Sequence, residues 1–333
     1  MTRFVFVTQQ VDPEHPALGV VPAKIRALAA RVDELVVIAD RVVEGELPAN
    51  ARARVFGTST RAGRGARFVA ALNAELSPRP LGVLAHMVPR FAILAAPLTR
   101  PRRIPLLLWF THWRVSRQLL LAERLATAVV TVDRRSFPFE SPKVVPIGHG
   151  VDMQAFRCVE REPDERLRAV ALGRTSPSKG LETIVRAAGL AGVDLELRGP
   201  SLTDEERAEA ERLRALGARI EPPVSYAEIP ALLAGKDVLV NNMREGALDK
   251  VVYEAAATCM PVLASNSGFA VLLPPELRFD RDDADGLAER LRALAAADRA
   301  ALGRELRARV EARHSVEHWA DAVLAVASRG GAP

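Results

Sequence analysis

Short apolar runs alternate with longer amphipathic segments along the whole chain, and this rhythm leaves few folds open. Runs of strand character fall at Phe4–Thr8, Glu34–Ala39, Gly82–His86, Leu106–Phe110, Ala128–Val132 and Lys143–Pro146. They recur at Ala169–Gly173, Asp194–Arg198, Arg219–Glu221, Val238–Asn241 and Pro261–Ala264. Helical patterns separate them. Examples are Ala23–Arg31, Ser116–Leu125, and the face formed by Leu181, Ile184, Val185 and Ala188. A further helix from about Asp204 to Leu216 opens on Thr203 and Glu206, a capping-box spacing. A strand that returns to a parallel neighbour needs a connection of helix length, so the alternation predicts parallel sheets with helices on both faces.

A chain of 333 residues suits two such α/β domains of about 150 residues each. The break falls near Gly148-His149-Gly150-Val151-Asp152, with His149 read as a linker residue, and a charged stretch containing Pro163 follows. The expected division is 1–150, a linker 151–167, a second domain 168–315, and a C-terminal helix and tail 316–333. No apolar run approaches membrane-spanning length, and MTRFVFVTQQVD reads as a first strand rather than a signal peptide. Cys158 and Cys259 are far apart with no metal-ligand spacing; they read as a linker thiol and a buried helix thiol in a reducing, cytoplasmic compartment. Residues 1–150 hold 21 Lys/Arg against 11 Asp/Glu, while the remainder holds 25 against 30. Solvated arginines are the plain reading of that asymmetry. The sharper one is peripheral contact with an anionic membrane, at the inner face of the cell membrane, or with an anionic acceptor. Nucleic acid is disfavoured, because aromatics are only 5% and do not interleave with the arginines.

Two stretches carry the chemistry. In Gly173-Arg174…Lys179-Gly180 a buried strand ends, a loop brings two cations, and a helix begins, which forms a diphosphate cradle without the Walker pattern. In Arg244–Asn266, Asp249 is expected to cap a helix whose Lys250 and Val251 amides face an anion. Glu245 and Glu254 flank that helix start, where a carboxylate can accept from sugar hydroxyls. His112 follows the Leu106–Phe110 strand and is expected at its C-terminal end, with His86 a weaker strand-end candidate. Gly19 closes a long loop after the first strand, but no GxGxxG fingerprint is present. The histidines show no metal-binding spacing.

Taken in order, these stretches resemble the retaining, nucleotide-sugar-dependent glycosyltransferases of family 4, which have the GT-B fold. Ile147-Gly-His-Gly-Val-Asp152 with Phe156 is similar to that family's "PNGVD…F" entry to its second domain. Gly173-Arg174…Lys179-Gly180, Leu197-Arg-Gly-Pro200, and Asp249–Ser265 with its EA…PV core follow, then Arg313–Trp319. The likeness covers most of residues 105–320. It implies two Rossmann-like domains facing across a cleft, with the C-terminal helix packing back toward the N-terminal domain. It implies that Arg174 and Lys179 neutralise the donor diphosphate, that Glu254 holds the ribose, and that His112 lines the sugar pocket. Gly19 matches one glycine of the N-terminal loop, whose usual Gly-Gly is here Gly19-Val20. The family's two glutamates stand eight positions apart, whereas Glu245 and Glu254 stand nine apart, so that alignment on Glu254 puts Gly246 at the first position.

The implied reaction is glycosyl transfer with retention to a saccharide, lipid-linked or small-molecule hydroxyl, needing no cofactor and no essential metal. Two alternatives stay open at this stage: a catalytically altered nucleotide-sugar-binding protein, and a nucleotide-sugar epimerase of the same fold.

Overall fold

The structure, a computed structural model, describes residues 1–161 and 166–330. It divides into two compact units, Met1–Asp152 together with Arg313–Pro333, and Met153–Ala312. Residues 162–165 of the expected linker, Pro163 among them, and 331–333 of the expected tail lie outside the described residues. Among the described residues no helix is long and apolar enough to cross a membrane.

The first unit holds strands β1 (Arg3–Val11), β2 (Glu34–Val42), β3 (Ala51–Val55), β4 (Val83–His86), β5 (Leu106–Trp109), β6 (Ala128–Thr131) and β7 (Val144–Pro146). They form one sheet in the order β3-β2-β1-β4-β5-β6-β7, every pair parallel. β1, β4, β5 and β6 are central strands covered on both faces, which is why their sequences are runs of apolar residues rather than alternations. Helices α1 (Val21–Ala29), α2 (Arg61–Ala74), α3 (Pro89–Thr99) and α4 (Arg117–Leu125) are the crossovers. Ser116 caps α4 by accepting from the Leu119 amide at 3.1 Å.

β3 is a strand the apolar pattern does not announce. Its sequence is ARARV, half-buried to exposed. Arg52 and Arg54 project from it to Glu75, which is 1% exposed and also pairs with Arg3. Ion pairs plus the hydrogen-bond register with β2 hold this edge where apolar burial does not.

The second unit holds β8 (Arg168–Leu172), β9 (Asp194–Arg198), β10 (Arg219–Glu221), β11 (Val238–Asn241) and β12 (Val262–Ala264), in the order β10-β9-β8-β11-β12 and again parallel. Its helices are α5 (Leu181–Ala191), α6 (Asp204–Ala215), α7 (Ile229–Ala234), α8 (Lys250–Ala257), α9 (Ala284–Ala295) and α10 (Arg299–His314). The last, α11 (Val316–Ser328), belongs to the first unit, where it packs on α1.

Residues 148–151 form the seam for this return. Gly148 has φ +77°, and a Cβ there would lie 1.9 Å from the Arg313 carbonyl oxygen, so only glycine allows the approach. The Gly150 and Val151 amides donate to the His314 carbonyl at 3.0 and 2.7 Å. Lys24 lies between the rings of Trp109 and Trp319, 4.2 and 4.6 Å from their centroids, and Arg31 grips Asp321 through two nitrogens. His149, read from the sequence as a linker residue, is instead buried within this unit beside Trp109.

The cysteine expectation is also corrected. Cys158 and Cys259 form a disulfide inside the second unit, with Cα atoms 4.9 Å apart. Phe156 is fully buried and Arg161 bonds the carbonyls of Leu233, Lys236 and Thr258, which draws the 153–161 segment onto the end of α8. Distance along the chain concealed the pairing. With both thiols oxidised, cysteine usage no longer argues for a reducing compartment.

Candidate active site

The second sheet changes direction of strand order between β8 and β11, and the loops leaving these two strands diverge there. In open parallel sheets this is where ligands sit, at the C-terminal strand ends. The loops are 173–180 and 242–249, and they are tied together. Asn242 Nδ2 donates to the Gly180 carbonyl and to Asp282 Oδ1, both at 3.0 Å, and the Arg244 amide donates to the Ser178 carbonyl at 3.1 Å.

Lys179 is the centre of the arrangement. Its ammonium donates to Asp249 Oδ2 at 2.5 Å and to the Leu172 carbonyl at 3.3 Å. Gly173 has φ +128°, and a Cβ there would stand 2.6 Å from Lys179 Nζ. The cation therefore rests over the bare backbone where β8 ends. Asn241 Nδ2 donates to the same Asp249 oxygen at 2.8 Å.

Asp249 occupies the N-cap position of α8, but its side chain makes no capping bond, contrary to the expectation. Lys179 and Asn241 take the carboxylate instead, and a charge-assisted bond outweighs one to a neutral amide. The Lys250 and Val251 amides thus begin the helix uncapped by Asp249, with the partial positive charge of a helix start.

Lys250 turns its side chain inward. Its Nζ lies 3.0 Å from Glu254 Oε1 and 3.8 Å from the centroid of the Tyr226 ring. Burial lowers its pKa from the ordinary lysine value, and Glu254 opposes that shift. Glu254 is 1% exposed, and its Oε1 accepts from the Tyr226 hydroxyl at 2.7 Å. Among the described residues its Oε2 takes no hydrogen bond.

Arg174 and Glu245 are each engaged outside this cluster. Arg174 pairs with Glu206 at 3.2 Å while its side chain stays 55% exposed. The expected capping box on α6 forms only in part: Thr203 accepts from the Glu206 amide, but the Glu206 carboxylate accepts from the Leu202 amide rather than from Thr203. Glu245 is exposed and accepts from the Ser267 amide at 2.7 Å and the Ser267 hydroxyl at 2.9 Å. Asn266 Nδ2 braces the same turn through the Arg244 and Ala247 carbonyls.

The remaining candidates belong to the first unit. Gly19 is buried in the turn before α1 and donates its amide to the His15 carbonyl at 2.8 Å. His112 is exposed just past β5, stacks on Trp113 at 5.4 Å between centroids, and accepts at Nδ1 from the Arg114 amide. His86 is buried against Phe6, 3.4 Å from the Thr8 hydroxyl; burial holds its pKa well below the ordinary histidine value, and Lys24 pushes the same way. It is a neutral core histidine.

Within the second unit, then, Lys179 joins Asp249, and Lys250 joins Glu254. Asn241 and Tyr226 complete these pairs without having been singled out as site residues. Asn241 was visible as the polar end of an apolar strand, whereas Tyr226 reaches Glu254 from 28 positions away and gave no signal.

Comparison with known proteins bears on the fold that carries these residues. Residues 174–325 match the family model described as glycosyl transferase-like. No curated protein sequence matches the chain. Among solved structures, sucrose-phosphate synthase from Thermosynechococcus elongatus is 18% identical with a TM-score of 0.76, covering 97% of each chain. HepE from Anabaena, solved with UDP-glucose, is 15% identical with a TM-score of 0.76, covering 99% of this chain and all of its own. A glycosyltransferase from Rickettsia africae is 14% identical at a TM-score of 0.73, covering 99% and 98%. The chain has the fold of the GT-B glycosyltransferases, and its residues 174–325 are similar to the glycosyl transferase-like family.

Proposed function

We propose that the chain transfers a glycosyl group, with retention of anomeric configuration, from a nucleoside diphosphate sugar to a hydroxyl acceptor. The observation that carries this reading is Lys179 lying over Gly173 beside the uncapped start of α8. A diphosphate seated there meets a cation and two helix-start amides. As the bond from the sugar C1 to the diphosphate oxygen breaks, the leaving group takes the electron pair, and these groups stabilise the growing charge. Arg174 swings from Glu206 to the outer phosphate. C1 then bonds the acceptor oxygen on the same face, and the acceptor proton passes to the departing diphosphate. The diphosphate is neutralised by side chains and amides, with no metal assigned a role.

Glu254 accepts from the ribose hydroxyls through Oε2, with Tyr226 and Lys250 fixing Oε1. Glu245 contacts the sugar once Ser267 releases it. The structure of HepE with UDP-glucose makes a uridine donor the first to test. Purified protein incubated with a panel of nucleotide sugars and hydroxyl acceptors should release nucleoside diphosphate, and proton NMR of the product should give the donor's anomeric configuration. An inverted product would overturn retention, and absence of release from every donor would overturn the transfer itself.

A further inference from the structure

A second site lies in the first unit, at the C-terminal ends of β1, β2 and β3. A cavity of about 210 Å³ opens between the starts of α2 and α3. Its floor is aromatic: Phe56 meets Phe68 and Phe91 edge-on at 5.5 and 5.8 Å, and Phe68 stacks on Phe91 at 5.5 Å. Its rim is cationic. Arg61 and Arg64 stand on the first turn of α2, and Arg90 stands on the first turn of α3. Neither helix has an acidic residue in its first turn.

This charge placement works against folding. A helix start carries partial positive charge and favours carboxylates, so each arginine there is unfavourable. Among the described residues only Asp40 offsets them, 3.6 Å from Arg64. Arg61 and Arg90 have no ion pair among the described residues. Two helix dipoles and three guanidinium groups converge over an apolar floor, which suits an anion joined to an apolar group. Asp40 adds a third feature, because its Oδ1 is buried with no hydrogen-bond partner among the described residues and is therefore ready for a hydroxyl donor. The cavity is smaller than the roughly 300 Å³ at which whole-ligand pockets begin, so it holds the head and first segment of a longer molecule.

We propose that this pocket binds an anionic amphiphile, a phosphate-bearing head next to an apolar chain or ring. Resting on the transfer reading above, we identify that molecule as the acceptor. Arg61 and Arg90 hold the anion, Asp40 takes a neighbouring hydroxyl, and the three phenylalanines receive the apolar segment.

Gly65 provides a clean perturbation. It lines the cavity on α2, and a Cβ built there meets nothing within 4 Å. Gly65→Leu fills the space and favours the helix, so an unfolded product is not expected. Calorimetric titration of the full chain with octyl phosphate, octyl glucoside and inorganic phosphate, all below micelle formation, tests the proposal. Octyl phosphate should bind roughly tenfold tighter than either control. Gly65→Leu and the double variant Arg61→Gln/Arg90→Gln should each weaken it by roughly tenfold or more. Equal binding of octyl glucoside, or octyl phosphate binding that survives both variants, would overturn the site.

UDP titrated in parallel separates the two readings. Loss of the octyl phosphate response with UDP binding intact sinks the pocket alone, and absent UDP binding beside a normal octyl phosphate response sinks the donor site alone. Flotation with phosphatidylcholine vesicles, with and without phosphatidic acid, identifies the source of the ligand. Phosphatidic-acid-dependent flotation abolished by Gly65→Leu assigns it to a membrane lipid; octyl phosphate binding without flotation assigns it to a soluble phosphate ester.

Discussion

Removing Lys179 tests the donor site most sharply, because Asp249 gives the experiment a sign as well as a size. The ammonium is 14% exposed and its partner carboxylate 22%, so both charges act in a partly desolvated setting. For a phosphate charge about 4 Å from Nζ and an effective dielectric of about 20, the attraction is about 4 kcal/mol. With the phosphate on the far side of the ammonium from Asp249, the carboxylate would stand about 6.5 Å from it and repel it by about 2.5 kcal/mol on the same basis. Screening at this exposure trims the lysine contribution to about 2–3 kcal/mol, or roughly 30- to 150-fold in affinity for UDP. Lys179→Ala should therefore weaken UDP by that factor and leave Asp249 as an uncompensated repulsive charge. Adding Asp249→Asn to Lys179→Ala should recover about half of the lost free energy, so the double variant binds better than the single. Isothermal titration of the two singles and the double with UDP reads both terms. A Lys179→Ala affinity within threefold of wild type, or a double variant no better than Lys179→Ala, would refute the assignment.

Gly173→Ala should act on the same cation without touching its charge: the new methyl meets Lys179 Nζ and φ +128° disfavours alanine, so UDP affinity should fall roughly tenfold, read by the same titration. Glu75 predicts acid sensitivity of the first unit. The Arg52 hydrogen bond, with help from Arg54, holds its pKa at about 2 against an ordinary 4.5, while burial opposes them. A depressed carboxylate stabilises the fold above the unfolded value and loses that contribution as pH falls from 4.5 toward 2. The shift corresponds to about 3 kcal/mol, reduced to about 2 because Arg52 and Arg54 are 37% and 53% exposed; urea midpoints for wild type and Glu75→Gln should converge across that window, and parallel pH profiles would disprove the linkage. Reduction of Cys158–Cys259, which closes a separation of 101 residues, should lower stability by about 2–4 kcal/mol; a thermal midpoint unmoved by dithiothreitol or by Cys158→Ser would count against it.

The sheets were legible because buried parallel strands must be continuously apolar, as in Leu106–Trp109 and Val238–Asn241. β3 was not, because Arg52 and Arg54 stabilise it through Glu75, a partner on another element. Loop chemistry was legible as residue type: Gly173, Lys179 and Asp249 were all visible from their place after strands. Their hydrogen bonds were not. Whether Asp249 caps α8 or grips Lys179 depends on a cation 70 positions away, and the Ser267 contact of Glu245 depends on how one turn folds over another. The disulfide was hidden for the same reason. Local pattern identifies elements, while long-range partners decide what each polar group does.

The return of residues 313–330 to the first unit has a consequence for the order of synthesis. A ribosome makes Lys24 and Trp109 early, yet Trp319, which closes over both, emerges only after the whole second unit. Domains generally fold as they appear, but here the first-made unit stays incomplete until its last helix arrives. Nascent chains stopped at Ala312 should therefore hold a folded second unit beside a protease-sensitive first one, the reverse of the usual N-to-C sequence.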